Sequence, residues 1–308
     1  MSDEPVIAVV GSVNMDLSVR TPRVPSRGEN LLARGLSVGL GGKGANPAVA
    51  ISRMGGYASF VGCVGADGFG LQAQEALESE DVDISGLCVA PGVPTGVALI
   101  MVDDEGQNTI LVAIGANQML RATEVEAALL RLDPQPDAVM VNFEVPETCV
   151  AAAVAYGEQR DIRTVVDAGP PRGYPPSCFA RASVLSPNRE EAEHMLGFCL
   201  CDPKAIERAA HALQDLGPRS VVLKLGGDGA YVLSEGIAEF VPGYRVEVVD
   251  TTGAGDAFTA ALTLGLARGD DLVAATRFAC AAGAVTVTRV GALDAMPDAR
   301  EIATLMNE

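Results

Sequence analysis

The chain has 308 residues, 48% of them apolar but only 4% aromatic and none Trp, with a formal net charge of -18. That length buries a substantial core, as one large α/β domain or two small ones. Its negative field repels nucleic acid and anionic membrane surfaces, so neither is an expected partner, and any phosphate ligand has to be held by local geometry.

Residues 6 to 10, Val-Ile-Ala-Val-Val, read as a buried strand ending at Gly11. Asn14 and Asp16 then fall just beyond its carboxyl end, where ligands bind in open α/β sheets. From Leu17 to Val38 the pattern breaks into short β-like pieces around Pro22, Pro25 and Gly28, and a similar piece recurs at Thr95 to Ile114. Both are expected to form a small sheet standing off the main one as a lid. Between them lie Gly41-Gly42-Lys43-Gly44-Ala45-Asn46, a helix at 47 to 54, a strand at 58 to 64 and a helix at 70 to 79. Beyond the second lid piece, helices near 122 to 131, 147 to 159, 189 to 196 and 203 to 216 alternate with strands at 138 to 141, 164 to 166, 184 to 186 and 220 to 224. A hairpin-like stretch from 229 to 249, including a β-like run from Tyr244, precedes two helices at about 257 to 268 and 271 to 285. Such alternation predicts a mainly parallel sheet covered on both faces. With no internal repeat or linker, residues 1 to 308 read as one domain carrying the lid.

Seven Cys stand at positions 63, 88, 149, 178, 199, 201 and 280 with no Cys-x-x-Cys pair, and the only His are His194 and His211. There is no zinc spacing and no disulfide framework, so a reducing compartment is expected. No basic leader or membrane-length apolar run is present, which makes the expected location cytoplasmic.

The most informative stretch is Asp250-Thr251-Thr252-Gly253-Ala254-Gly255-Asp256-Ala257-Phe258, at a strand-to-helix turn. Glycines there let backbone N–H groups converge on one spot, and a helix N-terminus adds partial positive charge, which makes an anion hole. Asp256 at its mouth reads either as a helix cap or as a general base beside a phosphate. The phosphate-loop pattern is excluded for Gly41 to Asn46, because Ser37 stands where its first Gly belongs and Gly44 where Ser or Thr belongs. A dinucleotide fingerprint is excluded too, since Phe258 replaces its third Gly.

The pairing of Gly41-Gly42-Lys43-Gly44-Ala45-Asn46 with Asp250 to Asp256 some two hundred residues later closely resembles the two signatures of the PfkB-type carbohydrate kinases, the ribokinase-like family. Gly11-Ser12-Val13-Asn14-Met15-Asp16, Gly28-Glu29, Phe143-Glu144-Val145-Pro146 and Ser186-Pro187-Asn188-Arg189-Glu190-Glu191 resemble further family motifs in the right order. The resemblance implies a three-layer α/β/α sandwich with a small β-sheet lid, and an ATP-dependent sugar kinase. It implies that Asp256 is the base, with Gly253, Ala254 and Gly255 in the anion hole. Asn14, Asp16, Gly42, Lys43, Asn46 and Glu144, with Asp256, match sugar-holding positions.

Lys224, Gly226, Gly227, Asp228 and Gly229 resemble the nucleotide segment, to which Asn188, Gly255 and Cys280 are added. Asn188 and Glu191 match the pair that organises Mg²⁺ through its waters. Asp250, Thr252, Thr286, Arg289, Gly291 and Ala295 match a monovalent-cation site, potassium by preference, although Ala295 offers no hydroxyl. Asp167-Ala168-Gly169-Pro170 departs from the family's Asn-Pro turn and reads as loop drift or a changed pocket wall.

Within the family the motifs are most like the ribokinase branch, with ribose as the acceptor. Deoxyribose, fructose, 2-keto-3-deoxygluconate and nucleosides are the alternatives. The absence of aromatic residues from both lid segments disfavours a nucleoside. A non-catalytic sugar or nucleotide sensor is the rival outside catalysis, and exposed lid edges predict a homodimer.

Overall fold

All five residues of Val6–Val10 (β1) are buried, and the pleat divides them: Ile7 and Val9 join one core cluster, Ala8 and Val10 the other. A strand apolar on both faces needs cover on both. The computed structural model, which describes residues 4–307, supplies it.

After β1 the chain forms β2 (Asn14–Arg20), β3 (Gly35–Gly41), α1 (Ala45–Arg53), β4 (Tyr57–Gly65), α2 (Gly68–Ser79), β5 (Asp83–Ala90), β6 (Gly96–Val102) and β7 (Asn108–Ala113). Then come α3 (Ala122–Arg131), β8 (Ala138–Asn142), α4 (Glu147–Arg160), β9 (Arg163–Asp167), β10 (Val184–Ser186), α5 (Arg189–Leu196) and α6 (Pro203–Gln214). The last part holds β11 (Ser220–Lys224), β12 (Ala230–Ser234), β13 (Ile237–Val241), α7 (Ala254–Ala267), α8 (Leu272–Thr286) and α9 (Ala299–Met306).

The large sheet runs β13-β12-β11-β10-β9-β8-β1-β4-β5, parallel from β11 to β5 and antiparallel at β12 and β13. Residues of α1, α2, α7, α8 and α9 fill one core cluster, and residues of α3, α4, α5 and α6 fill the other. The chain leaves β1 toward β4 and β5 on one side, then returns to β8 on the other. The crevice beyond the carboxyl ends of β1 and β8 is therefore a topological switch point, the place in such sheets where ligands bind. A separate four-stranded sheet, β3-β2-β6-β7, stands apart from the large one.

Several elements differ from the sequence expectation. Asn14 and Asp16 do not trail the end of a large-sheet strand; they lie inside β2 of the small sheet, because Gly11-Ser12-Val13 turns the chain at once. The hairpin ends at Val241, and Tyr244–Val249 forms no strand. Pro242 ends β13, so the alternating run that follows has no partner strand, and Val248 and Val249 remain exposed. Strand β5 has no counterpart in the sequence expectation; its Asp83, Ser85 and Gly86 interrupt the apolar pattern that would have marked it. Helix α7 starts at Ala254, three residues earlier than expected, which puts Gly255 and Asp256 inside its first turn.

Candidate active site

At the switch point, Ser12 follows β1 and Glu144 follows β8, and the Ser12 hydroxyl donates to Glu144 Oε2. The same oxygen accepts from the Lys43 N–H at 3.4 Å. Asp16 reaches the 41–46 turn from β2: a Cβ on Gly41 would fall 2.2 Å from Asp16 Oδ2, so only glycine leaves room for that carboxylate. Burial, reinforced by the negative charges of Asp256 and Glu144, pushes Asp16 up to about 7. A cleft of about 600 Å³ opens between the small sheet and residues 290–294, lined by Asp16, Leu40, Asn108, Asp250, Thr252 and Gly291 among others.

Asp256 comes to this place from 210 residues away. Its Oδ2 accepts from Asn46 Nδ2 at 2.8 Å, and its Oδ1 lies 3.6 Å from Lys43 Nζ. It is buried at the third position of α7 and is not the helix cap; that position belongs to Gly253, at φ 78°, a left-handed conformation that glycine adopts without penalty. The Ala254 N–H donates to Thr251 O at 3.3 Å, and the Ala257 N–H to Gly253 O at 2.9 Å. Among the described residues the N–H groups of Gly255 and Asp256 have no backbone acceptor, as the first turn of a helix leaves them. The base candidate thus sits on the same turn as two unspent donors. Burial opposes a charge on Lys43, yet the carboxylates of Asp256, Asp167, Glu191 and Glu144 hold its ammonium above the usual lysine range.

On the other side of this turn, Lys224 ends β11 and does not face open space. Its ammonium meets Asp167 Oδ2 at 2.8 Å and the Thr259 hydroxyl at 3.3 Å, and Thr259 Oγ1 donates to the same Asp167 oxygen at 2.6 Å. Lys224 Nζ lies 3.9 Å from where a Cβ on Gly255 would be, directly under the anion turn. Asp167 is therefore the buried last residue of β9, not a drifting loop position. Burial works against its charge, but the Lys224 and Lys43 ammonium groups keep it below the usual carboxylate range.

Gly226, Gly227 and Asp228 form an exposed turn before β12, with Gly229 buried behind them, and Asp228 reaches Arg189 Nη2 at 3.6 Å. A bridge pairs Asn188 with Lys224, which brings the Asn188 motif alongside. Cys280 is buried in α8, one turn before Gly283, the residue that packs against Ala254 O; burial pushes the Cys280 thiol up to about 12. Of the expected set, Asp16, Lys43, Asn46 and Glu144 converge on Asp256 most tightly, whereas Cys280 belongs to the wall behind α7.

The model for the pfkB family carbohydrate kinases matches residues 5–299. The chain belongs to this family. It is therefore a carbohydrate kinase, a phosphotransferase with an alcohol group as acceptor. Ribokinases of Haemophilus influenzae and Bacillus subtilis are 30% and 33% identical over 295 and 301 residues, covering 96% and 98% of this chain and 96% and 99% of their own. A Salmonella typhi deoxyribokinase is 31% identical over 292 residues, 94% of this chain and 95% of its own. The ribokinase of Thermotoga maritima superposes with a TM-score of 0.88 at 30% identity, over 99% of this chain and 100% of that one. That of Arabidopsis thaliana, solved with ribose and ATP, gives 0.89 at 28% identity over 100% of each.

Within this carbohydrate-kinase frame the expected cation positions can be tested for fit. Asn188 and Glu191 form a reciprocal cap on α5: Asn188 Oδ1 accepts from the Glu191 N–H at 2.8 Å, and Glu191 Oε2 from the Asn188 N–H at 2.7 Å. Burial raises the Glu191 carboxyl, with Asp167 adding to it. Glu191 Oε1 has no protein partner among the described residues and is not sealed in. No group of three or more His, Cys, Asp or Glu side chains gathers among the described residues for direct ligation; the unused Glu191 Oε1 would accept from a water of a hydrated Mg²⁺.

Of the positions expected to hold a monovalent cation, Asp250 joins Thr252 and Gly291. Its Oδ1 accepts from Thr252 N–H at 2.9 Å and Oγ1 at 2.6 Å, its Oδ2 from Gly291 N–H at 2.9 Å, and these bonds hold it below the usual range against the opposing effect of burial. The Thr286 hydroxyl donates back to Ala282 O and keeps its oxygen lone pairs, whereas Arg289, paired with Glu301, and the buried Ala295 can offer only carbonyl oxygens. Hard oxygen donors suit an alkali cation.

Sequence reasoning does not single out Ser12 or Thr259. Ser12 lies inside the Gly11 to Asp16 motif without a role of its own there, but Thr259 carries no signal beyond its place one turn after Gly255. No helix among the described residues is long and apolar enough to cross a membrane.

Proposed function

We propose that this carbohydrate kinase is an ATP-dependent ribokinase, transferring the γ-phosphoryl group of ATP to the primary 5-hydroxyl of D-ribose. The observation that carries the proposal is Asp256, a buried carboxylate within hydrogen-bond reach of Asn46 and on the same helix turn as the unspent N–H groups of Gly255 and Asp256. Asp256 takes the proton of the attacking hydroxyl, while those N–H groups and Lys43 stabilise negative charge on the transferring phosphoryl group. Asn14, Asp16, Gly42, Lys43, Asn46 and Glu144 hold the sugar, because amides and carboxylates each engage neighbouring hydroxyls. The nucleotide lies over the turn at Gly226 to Gly229, with Asn188 and Lys224 near its phosphates and Cys280 behind the adenine.

Mg²⁺, held through water by Asn188 and Glu191, neutralises charge on the ATP phosphates. Potassium, held at Asp250, Thr252, Thr286, Arg289, Gly291 and Ala295, supports the anion turn. The small sheet acts as a lid over the acceptor, and its exposed Leu36, Val38, Leu99, Ile110 and Leu111 are the reason to propose a cytoplasmic homodimer joined there.

A second reading, deoxyribose as the acceptor, is supported by the deoxyribokinase relative at comparable identity. Measuring ADP release with ATP and Mg²⁺ on ribose, deoxyribose, fructose, 2-keto-3-deoxygluconate and adenosine, with and without potassium, separates the two. Ribose turned over best supports the proposal; deoxyribose turned over best replaces it, and no ADP release with any acceptor overturns both.

A further inference from the structure

Asn117, between β7 and α3, is 1% exposed, and no sequence motif singles it out. Its side-chain amide is fully used. Oδ1 accepts from the Val13 N–H at 2.9 Å, while Nδ2 donates to Val13 O at 3.1 Å, Ile114 O at 2.9 Å and Asn14 Oδ1 at 2.8 Å. The orientation of both amides follows from groups whose polarity is invariable. A backbone N–H can only donate, so the Asn117 atom facing Val13 N is the oxygen; backbone carbonyls can only accept, so the nitrogen faces them. The Asn14 atom that meets this nitrogen must then be its oxygen.

Asn14 Nδ2 is left turned away from Asn117. It has no protein acceptor among the described residues, and it does not belong to the sealed polar atoms that lack a partner. Asn14 and Asp16 are two residues apart on β2 and share one face of the strand, and Asp16 lines the cleft. Gly96 leaves no slack behind the pair: a Cβ there would fall 2.2 Å from Asn14 Oδ1 and 2.4 Å from Asn117 Nδ2.

We infer that Asn117 is a positioning and specificity-determining residue of the acceptor site: by occupying Asn14 Oδ1 it makes Asn14 a fixed hydrogen-bond donor toward the substrate. This rests on reading the cleft as the place where the sugar binds. Asp16, Glu144 and Asp256 present carboxylates that accept hydroxyl protons, and Asn14 Nδ2, on the Asp16 face of β2, adds a neutral donor. The acceptor that satisfies this set is a polyol offering O–H groups to the carboxylates and one oxygen lone pair, from a hydroxyl or a ring oxygen, to Asn14. Asn117 touches no substrate; its bonds to Val13 and Ile114 hold backbone, and its effect on the acceptor runs through Asn14.

The test is a double-mutant cycle in steady-state kinetics, using the acceptor that the wild type turns over best, with ATP saturating. Asn14→Ala and Asn117→Ala are each expected to raise the acceptor KM about 10-fold, the worth of one hydrogen bond, with the ATP KM unchanged. The double variant is expected to stay within about threefold of Asn14→Ala alone, because once Asn14 is gone the Asn117 bond to it has no further effect on the acceptor. Effects that multiply, or a wild-type acceptor KM in Asn117→Ala, overturn the inference. Gly96→Ala provides a second perturbation that keeps both amides. It is expected to raise the acceptor KM and leave the ATP KM alone, and an unchanged acceptor KM in a folded Gly96→Ala enzyme also overturns the inference. A wild type that phosphorylates no sugar overturns the acceptor-site reading and this inference together, whereas multiplying effects in an active enzyme overturn this inference alone.

Discussion

Replacing Lys224 by Met removes one partner of a buried ion pair while leaving the other in place. Lys224 and Asp167 are 7% and 1% exposed and meet at 2.8 Å, with Thr259 as a third member. Losing the ammonium leaves Asp167 buried with the Thr259 hydroxyl, the Gly169 N–H and the more distant Lys43 to compensate it, a change that costs about 3–5 kcal/mol. For a chain of 308 residues, an unfolding entropy of about 2.1 cal/mol/K per residue converts this to a fall of about 5–8 °C in Tm. Asp167→Asn in the Lys224→Met background removes the stranded charge; its amide oxygen keeps the Gly169 N–H, and its amide nitrogen donates to Thr259 Oγ1, whose hydroxyl has Gly255 O as acceptor, so the double variant is expected to recover most of the loss. Differential scanning calorimetry at pH 7.5 on the wild type, both singles and the double measures all four corners.

The pH dependence supplies an independent arm. Asp167 is held below its usual pKa in the folded state, so its stabilisation is present above about 4, the unfolded carboxylate range, and is lost as pH falls through the lower folded value. The double variant should lack that acid-side loss. A Lys224→Met enzyme within about 1 kcal/mol of wild type, or a double variant less stable than Lys224→Met, would refute the reasoning.

Asp16 carries the opposite sign. Its folded pKa is raised to about 7, so it destabilises the apoenzyme above that pH, progressively less as pH falls, and not at all below its ordinary value of 3.8. Asp16→Asn is therefore expected to raise Tm at pH 8 and to match wild type near pH 4; an equal Tm at pH 8 would count against the crowding of carboxylates described here. Cysteine labelling follows burial: iodoacetamide at pH 8 is expected to modify the exposed Cys199 and Cys201 first. Cys149 and Cys280, both pushed up to about 12, should react only on unfolding, and mass spectrometry finding Cys280 modified early would contradict its place behind α7.

Legibility in the sequence follows the distance over which each residue acts. Lys43, Asn46 and Asp256 stand in contiguous glycine motifs, because close approach of backbone to ligand demands a local pattern. That pattern is plain in the amino-acid order itself. So are β1 and the strand-helix alternation, since a strand buried on both faces is apolar throughout. Asn117 and Asp167 serve groups 104 and 57 residues away, and a single buried polar residue leaves no periodic trace. Asp167 stands out in the sequence only as part of an irregular turn. Tyr244–Val249 shows the converse: its alternation satisfies the strand period, yet pairing depends on a neighbour that the fold does not provide.

The most direct test of the account is the single-turnover rate of Asp256→Asn with saturating ATP, Mg²⁺ and ribose. Asn keeps the shape and can still meet Asn46, but it cannot take a proton. The account predicts a loss of at least about 100-fold in the rate of phosphoryl transfer, the lower end of what a positioned general base contributes, with ribose affinity changed far less. An Asp256→Asn enzyme that transfers phosphate at the wild-type rate would show that the proton leaves by another route, and the assignment of Asp256 would be wrong.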